Sequence, residues 1–195
     1  THASSVSSSA GVRTVLWDVD TQVDFVLPDG KLAVPGAVDA APAMARLVEW
    51  GRANGVTHVA SADDHELTDP DISDEPDFQS TYPPHCLRGT RGALRIPETE
   101  QLDPLPLGLT PYPPGVLREL VRDRRELLLL KKSYSVFTNP SAEPLLEILQ
   151  PDEIVVFCRG NGREAVQAVG NPLDIPGGLV VVEVLVAVTC LNGLL

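Results

Sequence analysis

V-R-T-V-L-W-D-V-D-T-Q-V-D-F, residues 12–25, is the stretch whose reading decides the fold. Residues 12–19 form a mostly apolar run with strand propensity, and Asp20 follows at once. The pattern recurs along the chain. Residues 56–62 read as a strand ending at Asp63, and residues 126–130 (E-L-L-L-L) as a strand ending at Lys131. Residues 153–157 read as a strand leading into Cys158, and residues 179–186 as a fifth. Helical patterns lie between. Residues 40–54 carry Met44, Leu47 and Val48 at helical spacing, and Gly55 stands where a helix C-terminus wants glycine. Residues 115–125 and 141–149 read as helices, and residues 163–169 as one or two helical turns.

Strands alternating with helices predict an α/β domain, and near-continuous Val/Leu runs predict a parallel sheet covered on both faces. Three layers in a doubly wound arrangement follow. Ligands of such folds lie beyond the carboxyl ends of the strands. Asp20, Asp63, Lys131 and the segment after Phe157 all fall there, so they are expected to share one pocket. Asp20 and Lys131 are expected within ion-pair reach at the ends of adjacent strands, partly buried.

The 195 residues suit one domain, with residues 1–11 a flexible Ser-rich tail and residues 12–195 the folded unit. Hydrophobic residues make up 43%, enough for a sizeable core. A net charge of -12 repels phosphate backbones and anionic lipid, which argues against nucleic-acid or membrane partners. The expected partner is a small-molecule substrate, and the chain is open to homo-oligomer formation. Three widely spaced cysteines form no CxxC pair and no disulfide ladder, which suits a reduced, cytoplasmic setting.

Four constellations carry chemistry. Asp20, just past a buried run, is placed to act as a general base, or more blandly to cap a loop. Asp63, His65 and, across a long acidic loop (residues 63–97), His85 form a carboxylate-plus-two-imidazole set suited to a divalent metal: Zn, Fe or Mn. Asp71 lies close enough in sequence to approach the same ion. The bland alternative is a solvated acidic loop with surface histidines. Lys131 follows an apolar strand, so it is placed to enter the pocket, pair with Asp20 and stabilise developing negative charge. Alone it would read as one of a basic pair in solvent. The turn after Phe157, C-R-G-N-G-R-E-A, offers backbone N–H groups to an anion, or is an ordinary strand-to-helix turn.

Taken together, D-x-Q-x-D-F at residues 20–25, D-x-H at 63–65, P-P-H-C-x-x-G-T-x-G at 83–92 and K-x-x-Y-S-x-F at 131–137 resemble the isochorismatase-like superfamily of hydrolases, nicotinamidase-like branch. The resemblance implies a mostly parallel sheet of about six strands between helices. It implies that Asp20 is the base and Lys131 the cation of an amidase in which a cysteine thiolate attacks the carbonyl. It implies Asp63, His65 and His85 as metal ligands, with Asp71 at a position where some nicotinamidases offer a further histidine. Phe25 and Tyr82 fall where aromatic residues flank the substrate ring, which implies a small heteroaromatic amide.

The departure is at the nucleophile. Where the family pattern G-V-A-T-x-x-C-V ends in its cysteine, this chain carries Glu164 without a gap. Cys158 comes six residues early and is expected at the strand end. Glu164 is expected at a helix start, facing Lys131. Several readings stand. The site acts as a weak or altered amidase through activated water. Alternatively, the chain is an inactive small-molecule binding or scaffold protein, or an isochorismatase-type vinyl-ether hydrolase that needs no cysteine. A further reading is that the segment from Cys158 onward is an altered form of a normal enzyme's sequence.

Overall fold

The computed structural model describes residues 12–158. Five strands form the sheet: β1 (Thr14–Val19), β2 (Thr57–Asp63), β3 (Leu105–Leu107), β4 (Glu126–Lys131) and β5 (Glu153–Cys158). Their order is β3-β4-β2-β1-β5, and every pairing is parallel. Parallel neighbours need crossovers, and the helices supply them. α1 (Val23–Val26) and α2 (Ala37–Ala53) lie between β1 and β2, α3 (Pro114–Val121) between β3 and β4, and α4 (Ala142–Leu149) between β4 and β5.

Helices cover both faces, which is why the strands carry few polar residues before their ends. On one face Leu16 and Phe157 pack with Ala41, Met44 and Val48 of α2. On the other, Trp17, Val59, Leu127, Leu129 and Val156 pack with Leu117 of α3 and Leu145 of α4. Trp17, Leu127, Leu129 and Leu145 are fully enclosed. Truncating such a side chain to alanine costs about 2–5 kcal/mol.

The α/β class and the parallel sheet agree with the sequence reading. Several boundaries differ. α2 begins at Ala37, three residues earlier than expected, with Pro42 inside it. Pro42 is exposed and lacks the N–H that would continue the helix ladder at its position. The connection over residues 102–114 holds the short edge strand β3, where Pro106 is tolerated because an edge strand pairs on one side only. α3 stops at Val121 rather than Arg125. Asp63, Lys131 and Cys158 are the last residues of their strands rather than the first beyond them. The turns expected at 163–169 and the strand at 179–186 lie outside the described residues. No helix among the described residues is long and apolar enough to cross a membrane.

Candidate active site

Three strand ends meet at one point. Lys131, closing β4, is the register partner of Asp63, closing β2, so both side chains rise on the same face of the sheet. Asp20 follows β1 on the other side of β2. The expectation that Asp20 and Lys131 sit on adjacent strands is therefore corrected: β2 lies between them. A lysine stem is long enough to cross it, and Lys131 Nζ lies 3.0 Å from Asp20 Oδ2 while also donating to Asp63 Oδ1. Lys131 is 1% exposed and Asp20 2%. Such burial is tolerable only for paired charges.

The electrostatics follow from that enclosure. Burial works to lower the Lys131 ammonium, but Asp20 and Asp63 outweigh it and hold the group above its ordinary value. Burial likewise works to raise the Asp63 carboxyl, but Lys131, with the nearby imidazoles of His65 and His85, holds it well below the usual carboxylate range. Asp20 adopts a left-handed backbone, φ 52°, a conformation that Asp tolerates better than most residues. Its N–H donates to Ser61 O (3.2 Å), and the Ser61 hydroxyl donates to its Oδ1 (2.7 Å). Both Asp20 oxygens are thus engaged, one by Ser61 and one by Lys131.

The second oxygen of Asp63 faces two imidazoles. His65 Nε2 and His85 Nε2 each lie 3.7 Å from Asp63 Oδ2, and the two rings stand 4.8 Å apart. The tautomers can be argued from partners. His85 Nδ1 contacts the carbonyl of Pro83 at 2.8 Å. A carbonyl only accepts, so Nδ1 carries the hydrogen. His65 Nδ1 contacts the carboxylate of Asp69 at 3.2 Å, with the same consequence. With the hydrogen on Nδ1, a neutral ring at either position would offer its Nε2 lone pair to an ion beside Asp63. All three groups are buried, with their donor atoms within 4.8 Å of one another. Two ligands about 2.1 Å from a common ion stand about 3–3.6 Å apart, close to what is seen here. The donor set fits a divalent metal.

Around this set, Phe25 is buried with its ring 5.4 Å from that of His85, and Tyr82 meets the same imidazole edge-on at 6.2 Å. Asp71 does not join the convergent group. Its Oδ1 lies 3.7 Å from His65 Nδ1, on the ring edge turned toward Asp69.

The fold has counterparts among solved structures. No family model matches the sequence, and no curated protein matches it at a significant level. The pyrazinamidase/nicotinamidase of Streptococcus mutans superposes with a TM-score of 0.54 at 23% identity, covering 74% of this chain and 71% of that one. The pyrazinamidase of Pyrococcus horikoshii, solved in complex with zinc, gives 0.57 at 21% identity, covering 83% and 77%. The N-carbamoylsarcosine amidase of Thermoplasma acidophilum gives 0.53 at 21%, covering 75% and 68%. The fold is that of the isochorismatase-like hydrolases.

Within this isochorismatase-like fold, several residues that sequence reasoning passed over hold the site together. Gln22 clamps the end of β2: its amide nitrogen donates to Asp63 O (2.8 Å) and Ala93 O (2.9 Å), and its oxygen accepts from Asp63 N (2.7 Å). Asp24 accepts from the backbone of Cys86 (2.7 Å) and Lys31 (3.1 Å), which fixes the segment carrying His85. Gly92 leaves room for that carboxylate, since an added Cβ would overlap Asp24. Gly89, with φ +78°, makes a turn that L side chains rarely adopt. The signal was present as D-x-Q-x-D-F and the spaced glycines, but it reads as chemistry or turn until the backbone partners are known.

Cys158, expected at a strand end, is the last residue of β5 and the register partner of Val19, buried in the apolar cluster of that face. Glu164 lies outside the described residues.

Proposed function

We propose that the chain is an isochorismatase-like hydrolase of the nicotinamidase-like kind, acting on a small heteroaromatic amide at a metal-assisted Asp–Lys site. The single observation that carries the reading is the buried Asp20–Lys131–Asp63 junction, with His65 and His85 on the same Asp63 carboxylate. Three charges and two oriented imidazoles withdrawn from water are costly to a fold, and a purely structural role gives no reason for that cost.

The chemistry follows from the residues. Asp20, paired with Lys131, takes a proton from a water molecule as that water attacks the amide carbonyl carbon. Lys131, which stays an ammonium, stabilises the negative charge that develops on the carbonyl oxygen. Collapse of the tetrahedral species breaks the C–N bond, and the proton held by Asp20 passes to the departing ammonia. A divalent ion held by Asp63, His65 and His85, with Zn, Fe and Mn all compatible, would act as a Lewis acid toward a substrate or water oxygen. Phe25 and Tyr82 are proposed to border the flat substrate.

Activated water is a poorer route to amide cleavage than a cysteine thiolate, so turnover is expected to be weak or redirected. Glu164, in the sequence position of the nucleophile, supports this part of the reading. The proposed setting is cytoplasmic. An amide-hydrolysis assay beside the Glu164→Cys variant tests the function. Restored turnover supports it. Tight binding of an aromatic amide with no turnover in either form would favour a binding protein.

A further inference from the structure

Lys131 and Lys132 are consecutive, and each engages a different end of the proposed ligand set. Lys131 donates to Asp63. Lys132 Nζ donates to Asp69 Oδ1 at 2.7 Å. The other oxygen of Asp69 accepts from the backbone N–H of Glu66 at 2.9 Å and meets His65 Nδ1 at 3.2 Å. Asp69 N in turn donates to Glu66 O at 3.0 Å, so the turn that presents the carboxylate is closed on itself. Asp69's side chain is 10% exposed and His65's 2%.

We infer that Asp69, anchored by Lys132, is a positioning residue for His65. It holds the hydrogen on Nδ1 and aims Nε2 at Asp63 Oδ2. The inference rests on the metal-assisted reading of the site and adds residues to which the resemblance assigns no role. A ligating imidazole needs a fixed ring plane and a fixed tautomer, and a carboxylate behind its other nitrogen supplies both. Position alone does not select Asp69, because Asp71 also approaches Nδ1. Asp71 stands further off, at 3.7 Å, and its Oδ1 has no hydrogen-bond partner among the described residues. Asp69 has three partners and the shorter contact. The paired lysines of the L-K-K-S segment thus fix the two sides of the set: one grips the ligand Asp63 directly, the other grips the carboxylate behind the ligand His65.

The test is Co2+ titration of the full chain, followed by the visible d–d absorption of the bound ion, with Zn2+ competition. Asp69→Ala is expected to weaken Co2+ binding by about 10–100-fold and to change the band shape, because the imidazole loses its fixed orientation. Asp69→Asn keeps an acceptor without the charge and should fall between wild type and alanine. Lys132→Met should weaken binding less, and Asp71→Asn least. Circular dichroism checks that each variant is folded, and if Asp69→Ala is not, Asp69→Asn decides. Wild-type affinity and band shape in the Asp69 variants would overturn the inference while leaving the metal reading in place. A wild-type protein that takes up neither ion would overturn both.

Discussion

Lys131 donates to one oxygen of Asp63 while the other oxygen of that carboxylate faces both His65 and His85. One side chain therefore couples the proposed acid–base pair to the proposed ligand set, and a change on either side should be felt by the other. Asp63 and Lys131 meet because they are register partners at the ends of neighbouring parallel strands.

Replacing Lys131 with methionine should leave Asp20 and Asp63 as uncompensated buried carboxylates. The expected cost is about 3–5 kcal/mol at neutral pH, measured by urea unfolding. The pH dependence has a definite sign. In the wild type the Asp63 carboxyl is held low, so its contribution is present above the unfolded carboxylate value and lost as pH falls through the folded one. In the variant Asp63 loses the cation that holds it low and protonates more readily, so the deficit should shrink as pH falls. A deficit that is constant with pH would show that lost packing, not charge, is responsible.

Gln22→Leu should uncouple β2 from the loop that carries Ala93. The substitution leaves the Asp63 N–H and two carbonyl oxygens without their partner. Each unsatisfied buried group costs roughly 1–3 kcal/mol, so a loss of at least about 2 kcal/mol is expected on chemical unfolding. Metal uptake should weaken in parallel, because the Asp63 backbone is what the clamp holds.

Much of this was legible in the chain. The strands β1, β2, β4 and β5 announce themselves as apolar runs, and each run closes on or beside a residue with chemistry: Asp20, Asp63, Lys131, Cys158. Parallel pairing follows from burial on both faces, and convergence at the carboxyl ends follows from parallel pairing. Strand order does not follow. No local property of residues 57–63 says that β2 separates β1 from β4, so Asp20 and Lys131 were expected as neighbours. β3 was missed because three residues with a central proline carry no periodicity. Gln22 and Asp24 were missed as supports because each acts on backbone distant in sequence, and Asp69 because the Lys132 that anchors it is distant too, relations visible only once the loop is folded.

His58 should set an acid limit on stability. Burial pushes its imidazole down to about 4; Glu126 opposes that and Arg52 adds to it. The unfolded chain binds this proton near pH 6.5, the folded one only near 4. Stability from the neutral ring is therefore full above about pH 6.5 and lost as pH falls toward 4, by up to about 3 kcal/mol. Thermal unfolding across that window should slope for the wild type and flatten for His58→Gln. An unchanged slope in the variant would assign the acid limit to other groups.

Chelation should lower the melting temperature of metal-loaded protein. An ion at 100 times its dissociation constant stabilises the folded state by about 2.7 kcal/mol. His85→Ala removes one of the three proposed ligands and should abolish most of the difference between loaded and chelated samples. A shift that survives in His85→Ala would place the ion elsewhere.

The most direct test of the account is hydrolysis of nicotinamide and pyrazinamide, read as ammonia release, by metal-loaded wild type, Glu164→Cys and the double variant Asp20→Asn/Glu164→Cys. The account predicts very weak release by wild type, a clear gain in Glu164→Cys, and loss of that gain when Asp20 is also changed. Robust wild-type release that survives Asp20→Asn, or a Glu164→Cys protein that binds metal and amide yet releases no ammonia, would contradict it.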